Sequence, residues 1–536
     1  MRRVRTSPLA REALLSAAGS AAVAAVLVWL GPPGIDLAAH AYQRTVFLHH
    51  GFELWNNFWY AGRYSFVTYS LLYYPLAALL GIKLLAVATV ATATLAFVVV
   101  IGREWGPIGR WSTRTFAVTW TGIVLSAAFP FALGVALALL ALWALQSGAR
   151  GRFSVLALFA LAASPLAFIL LAIVLAGIAV ARRTRPSDLL APGLMIALAA
   201  GAELVLRRLF PGEGRYPFTA WNLLGVIAFC LIGAAVTWRV ERGRILRWMF
   251  VLYLFASVVV FLVPSDIGSN IMRLRHAAIP VTVLALSLRR WRPLPVCLGV
   301  LAFAVAWSIP VMVMQAVRSS SDPAAHASYW APAVRYLRAH LTPSYRVEVV
   351  DTAGHWAAVY LPRAGIPLVR GWFRQDDYPL NEVLYDSFDA SSYRRWLRSM
   401  GVRYVVLPDA PTDYSARREA AIVAGGRSGL RRVLRAPNLS IYELPHPTPL
   451  VTGKEGARVL TLTPETARLA LPRPGSYRLA VRYSPYWSVP AHACLTAGGD
   501  DMIRLSVSRP GDVTLRFQVS GEGALAALAG SEPEPC

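Results

Sequence analysis

Up to about residue 318 the chain alternates apolar runs of bilayer-crossing length with short arginine-bearing segments, and beyond it no run stays apolar for long enough to cross. The first run, Leu14 to Leu30, follows the basic Met1-Arg2-Arg3-Val4-Arg5 and ends in Gly31-Pro32-Pro33 rather than in a small-residue cleavage site. It reads as an uncleaved anchor with a cytoplasmic amino terminus. From Ser65 to Ile101 the sequence is apolar for about twice the length of one crossing, interrupted by Gly81 and Lys83. Arg103, Arg110 and Arg114 follow, so one full helix and a half-penetrating or surface piece are expected there. Two helical hairpins then turn at Phe129-Pro130 and Ser164-Pro165 and return to Arg150 and Arg152 and to Arg182, Arg183 and Arg185. Single crossings are expected near 189–206, 221–238, 247–264, 277–288 and 294–315, for a total of about eleven transmembrane helices.

After Arg318 the period changes. Ser319-Ser320-Ser321-Asp322-Pro323 reads as a linker. Helical patterns over Tyr329 to His340 and Ser392 to Met400 mix with short strands over Arg346 to Val350, Tyr404 to Leu407 and Ser440 to Leu444. That mixture predicts a small α/β unit. Strands over Tyr477 to Tyr483, Arg504 to Ser508 and Val513 to Val519, punctuated by Pro and Gly, predict an antiparallel sandwich. The expected organisation is a transmembrane domain over 1–317, with a first outer loop at 32–63, then extracytoplasmic α/β and β-sandwich domains over 318–450 and 451–536.

Composition agrees with the pattern: 56% of the 536 residues are hydrophobic and only 15% charged. The formal net charge of +24 raises the question of nucleic acid. The arginines sit at helix ends and across a mixed outer region rather than in one basic tract, so they read as topology signals and lipid-headgroup contacts, with no nucleic-acid partner. Lysine occurs only as Lys83 and Lys454. Of four cysteines, Cys230 and Cys297 lie in apolar segments and read as small core residues. Cys494 and Cys536 both fall in the outer region, where a disulfide is chemically allowed; a free carboxy-terminal cysteine is the alternative.

The one long loop that departs from a plain connector is 32–63. It carries Asp36, His40, Arg44, His49, His50, Glu53 and Arg63 among seven aromatic residues. Pro32, Pro33 and Gly34 break the preceding helix and leave Asp36 where a cap or first-turn carboxylate is favoured. In a following helix Asp36, His40 and Arg44 recur every four residues and share one face. A carboxylate, an imidazole and a guanidinium there form a set that takes a proton and holds a phosphate; a simple helix cap is the bland reading of Asp36. Arg273 and Arg275, in a further outer loop over 265–276, are a second candidate phosphate grip, against the alternative of interfacial snorkelling.

Asp36-Leu-Ala-Ala-His40, Gly51, Trp55, the Phe58-Trp59-Tyr60-Ala61-Gly62 run and Tyr73-Tyr74-Pro75-Leu76 resemble the first outer loop of a family of polytopic bacterial membrane proteins. These are the predicted membrane proteins labelled as 6-pyruvoyl-tetrahydropterin synthase-related, with an organisation similar to the GT-C glycosyltransferases and to YfhO-like proteins. The resemblance implies a multi-pass protein of the bacterial inner membrane. It implies a transferase that takes a sugar from a polyprenyl-phosphate donor to a cell-envelope acceptor on the extracytoplasmic face. Asp36 would be the general base and His40 its orienting partner. Arg44, Arg63, Arg273 and Arg275 would bind the donor phosphate, and Trp55, Trp59, Tyr60, Tyr73 and Tyr74 the substrate. No second acidic residue follows Asp36 closely, a departure from the paired-carboxylate pattern; no cofactor is assigned, and a divalent metal stays open. No Walker A loop, G-x-G-x-x-G, C-x-x-C or H-E-x-x-H occurs. The other class of function is a non-catalytic transporter or assembly factor for envelope polymers, which would need charged residues deep in the bundle. Lys83 is its main candidate.

Overall fold

The computed structural model describes residues 7–212 and 214–530. The chain divides into two units, one made of 1–40, 69–204 and 215–321 and the other of 41–68, 205–214 and 322–536. The boundary falls inside the helix Leu37–His50. Most of the loop 32–63 belongs to the second unit.

The first unit is helical. Eight segments among the described residues are long and apolar enough to cross a membrane: Pro8–Leu30, Ile82–Ser126, Phe129–Gln146, Pro165–Arg182, Ala220–Thr237, Glu241–Leu262, Gly268–Leu288 and Leu294–Ser320. The distance from the expected eleven has an identifiable origin. Ile82–Ser126 joins two expected crossings through a short 3₁₀ turn at Gly106–Gly109, Arg150–Ala163 is only 14 residues long, and Pro186–Leu209 is not among the eight. The proline-marked turns fall where expected, with helices starting at Phe129 and Pro165. The residues 268–277, expected as loop, form a 3₁₀ helix that runs directly into Ala278–Leu288.

Helix ends gather by charge. At one end of this unit Glu12 lies 3.4 Å from Arg110 and 3.2 Å from Arg114, Arg182 pairs with Glu104 at 2.6 Å, and Arg103 donates to the Ser147 hydroxyl at 2.6 Å. These groups are half-exposed, so each pair contributes little to stability. Their value is positional: the basic segments expected on a common side do share one end. At the other end Asp36 N–H donates to the Ser126 carbonyl at 3.0 Å and Ser70 Oγ donates to the Ala163 carbonyl at 2.8 Å.

In the second unit the α/β part has a four-stranded sheet in the order Arg346–Val349, Val402–Pro408, Leu439–Glu443, Arg431–Arg435; the first pair is parallel and the others antiparallel. Two four-stranded antiparallel sheets follow. Ala493–Ala497, Met502–Val507, Gly475–Arg482 and Val451–Thr452 make one, and Trp487–Ser488, Gly511–Phe517, Thr466–Leu471 and Arg458–Leu462 the other. Alternate residues such as Leu469, Leu471, Val513, Leu515, Ile503 and Leu505 point inward and form their common core. A carboxy-terminal helix, Gly521–Ala529, has no counterpart in the sequence reading. Cys494 lies on the strand Ala493–Ala497, and its expected partner Cys536 lies outside the described residues. Cys230 and Cys297 are free and buried, as core residues should be.

Candidate active site

Asp36 stands immediately before the helix Leu37–His50, with its backbone held against the 124–127 turn. Gly34 makes that approach possible: a Cβ there would lie 2.4 Å from the Ala127 Cβ and 2.8 Å from the Val124 carbonyl oxygen. The Asp36 Oδ2 accepts from the Arg273 guanidinium at 3.0 Å, in a pair whose side chains keep 14% and 19% of their surface. Arg273 also donates from Nε to Asn270 Oδ1 at 3.3 Å and hydrogen-bonds Tyr69. Burial, together with the Asp36 charge, pushes the Tyr69 hydroxyl up to about 12 although Arg273 works against it, so the phenol stays protonated.

His40, one turn on, is fully buried. Its Nδ1 lies 3.3 Å from the Tyr74 hydroxyl, and its ring sits among Tyr69, Tyr73 and Phe129 with centroids 5.3 to 6.1 Å away. Burial and then the Arg273 charge lower the imidazole to about 3. His40 is therefore a neutral ring at physiological pH, suited to orienting a neighbour and unsuited to carrying a proton as an acid. Tyr73 and Tyr74 are buried against it. Arg275 lies two residues beyond Arg273 with no hydrogen-bond partner for its buried Nε among the described residues.

The remaining candidates fall in the second unit and are already engaged. Arg63, expected on the donor phosphate, pairs with Asp376 at 2.8 Å, donates to Thr68 Oγ1 at 3.1 Å and lies 4.2 Å over the Phe373 ring. Trp55 stacks on Phe517 at 5.1 Å within the sandwich core; Trp59 Nε1 donates to the Ala358 carbonyl at 3.0 Å, and Tyr60 donates to the Phe373 carbonyl at 2.9 Å. Trp55, Trp59 and Tyr60 are at most 2% exposed. Burying large aromatics with their polar tips satisfied fastens this loop within the second unit, so Trp59 and Tyr60 are fully engaged in packing. Arg44 is half-buried, and its charge lowers the Arg363 guanidinium, which is turned to the Ala41 carbonyl and the Thr45 hydroxyl. The guanidinium beside Asp36 is that of Arg273, from a segment 237 residues away.

Solved structures of the arabinofuranosyltransferase AftD from Mycobacteria match this chain. One class of an arginine-to-serine variant has a TM-score of 0.51 at 17% identity, over 87% of this chain and 43% of that one. Two further structures, AftD itself and a second class of the variant, give TM-scores of 0.49 and 0.44 at 16% and 18% identity, over 87% and 80% of this chain and 41% of each. In fold the chain is a polytopic helical membrane protein with a sheet-rich carboxy-terminal region, and that fold is what it shares with the 0.51 match. It spans about two fifths of the length of AftD. No family model and no curated protein matches the sequence.

Within the helical unit an apolar cavity of about 260 Å³ is lined by Phe97, Phe116, Phe131, Leu142, Leu171 and Leu246, among others. Arg273 lines it too, and so joins the cavity to Asp36. Sequence reading missed the cavity and Tyr69; the Tyr69, Tyr73, Tyr74 spacing was the available signal for the latter. Lys83, the residue on which a transport reading rests, is exposed at the start of Ile82–Trp105, with its Nζ 5.8 Å from the Trp29 ring. Among the described residues no three His, Cys, Asp or Glu side chains converge to hold a metal ion. One carboxylate facing an arginine and a phenol is not a donor set that fits a divalent cation.

Proposed function

We propose that this chain is a membrane glycosyltransferase that moves a sugar from a polyprenyl-phosphate donor to a cell-envelope acceptor on the extracytoplasmic face, with Asp36 as general base. The observation that carries the reading is the Asp36–Arg273 pair beside an apolar cavity. A lipid phosphate is a hydrocarbon chain ending in an anion, and that arrangement offers a space for the first and a guanidinium for the second. Arg275 lies two residues on in the same 3₁₀ segment, a second guanidinium close to Arg273, and the like charges favour an added anion. When the phosphate takes Arg273, Asp36 is freed. It accepts the proton of an acceptor hydroxyl whose oxygen bonds to the anomeric carbon, while the bond from that carbon to the phosphate oxygen breaks and the electron pair leaves with the polyprenyl phosphate. Neutral His40 and its tyrosine cage hold the helix start in place. The likeness to AftD makes a polyprenyl-phosphate arabinofuranose the first donor to try.

The test is transfer of labelled sugar from that donor by purified protein in nanodiscs. Asp36→Asn keeps shape and much capping ability while removing the base, so the variant should fold and bind donor yet lose transfer by on the order of a hundredfold or more. A helix cap alone would cost about 1 kcal/mol of stability with activity nearly intact. Full turnover by well-folded Asp36→Asn protein overturns the mechanism.

A further inference from the structure

The second unit holds a cavity of its own, about 260 Å³, walled by the loop 55–68, the segment 211–212, the helix Arg374–Leu380 and the sandwich. Its volume lies just below the ~300–1,000 Å³ of small-molecule sites, which suits a ligand of one or two rings. The walls bring Trp55, Arg63, Tyr64, Asp376, Arg482 and Asp501 together. Arg63 and Asp376 are each 8% exposed and pair at 2.8 Å; Arg482 donates from Nε to the Tyr60 carbonyl at 2.9 Å and from Nη2 to the Leu380 carbonyl at 3.2 Å. These groups are fixed before any ligand arrives, which lowers the ordering cost of binding. Gly62 keeps one wall thin, since a Cβ there would lie 2.5 Å from the Trp55 ring.

Charge decides the ligand class. Two guanidinium groups and two carboxylates line the cavity, so it is formally balanced. An anion gains nothing from such a site, in contrast to the Arg273 and Arg275 end of the helical unit. A neutral polyhydroxyl ligand gains a good deal, because guanidinium donors and carboxylate acceptors stand side by side along the walls, with the buried Trp55 and Tyr64 rings behind them. We infer that this cavity is a saccharide-binding subsite. Its role as the holder of the acceptor glycan rests on the transferase reading, whereas saccharide binding itself does not.

The experiment is titration of the full chain in nanodiscs with two soluble probes, a linear pentofuranose hexasaccharide and a linear hexopyranose hexasaccharide, with inorganic phosphate as the third ligand. At least one hexasaccharide should bind saturably and phosphate should not compete. Ala497→Trp places a bulky ring in the cavity from an exposed strand end and should weaken binding by about tenfold or more. Asp501→Asn, which leaves the volume unchanged, should weaken it less, and serves as the second variant if Ala497→Trp fails to fold. Saturable binding unchanged in both folded variants, no binding of either hexasaccharide by the native chain, or competition by phosphate would each overturn the inference. Saccharide binding without transfer from any donor would leave it standing while sinking the transferase reading, and transfer without binding would do the reverse.

Discussion

His50 Nδ1 and Glu53 Oε1 face each other at 3.3 Å, an ion-pair distance, yet their surroundings favour the neutral form of both. Burial and then the nearby Glu465 push the Glu53 carboxyl up to about 8, and burial with the neighbouring His49 lowers His50. Glu465 is itself raised by burial, although it accepts from the Leu54 and Trp55 amides at 2.8 and 3.4 Å. The raised carboxyl has a pH signature. Between the unfolded carboxyl range, near 4.5, and about 8 the folded state binds more protons than the unfolded one, so Glu53 makes stability fall as pH rises through that window. Glu53→Gln mimics the protonated form. The melting temperature of the variant in detergent should lose less between pH 6 and pH 9 than that of the native chain, and an equal loss would show that Glu53 titrates normally. At His40 the sign is opposite: its imidazole is already neutral above about 3, so any acid limb in transfer activity between roughly pH 5 and 8 belongs to another group.

The helix Leu37–His50 has its start placed by a contact between two turns, Gly34 on one side and Ala127 on the other. Ala127 sits at φ 52°, a left-handed conformation that costs a residue with a Cβ about 1–2 kcal/mol. The turn holds the Ser126 carbonyl against the Asp36 amide, so strain there is spent where a side chain must be aimed. Gly34→Ala should therefore act on both stability and chemistry. Overpacking of this kind costs ~1–3 kcal/mol, and displacement of the Asp36 backbone should lower transfer more than the stability loss explains. Adding Ala127→Gly removes the opposing methyl and the left-handed strain but leaves the residue-127 amide nitrogen at 2.6 Å and the Val124 carbonyl oxygen at 2.8 Å, so it should restore both only in part. Calorimetry and transfer measured on the single and double variants check this; a double variant no better than Gly34→Ala would place the effect elsewhere.

Across the whole molecule, the proposed topology puts both the loop of the second unit and the end of the last membrane helix outside. Cysteines introduced at the exposed positions His49 and Ser321 should react with an impermeant thiol reagent in intact cells, and one at the exposed Gly151, in the first turn of the helix Arg150–Ala163, should not; labelling at Gly151 would overturn the arrangement of the hairpins. Much of this architecture was legible in the chain itself. Apolar runs, their proline-marked turns and their arginine ends are local properties, and a residue's own neighbours decide whether a stretch crosses a bilayer or pleats into a strand. The strands expected over 346–350, 404–407 and 440–444 are found at Arg346–Val349, Val402–Pro408 and Leu439–Glu443 for that reason. Partnership is not local. Asp36 was legible as a candidate because it follows a helix break, but its partner Arg273 comes from a segment 237 residues later that was expected as loop. The aromatic and charged wealth of 32–63 read as one site, whereas tertiary structure divides it between a buried imidazole cage and a set of anchors, Trp59 and Tyr60 among them, spent on packing. A sequence states which side chains have the chemistry; only the fold decides which of them have their charges and rings already satisfied, because that depends on distances between residues that no local pattern constrains.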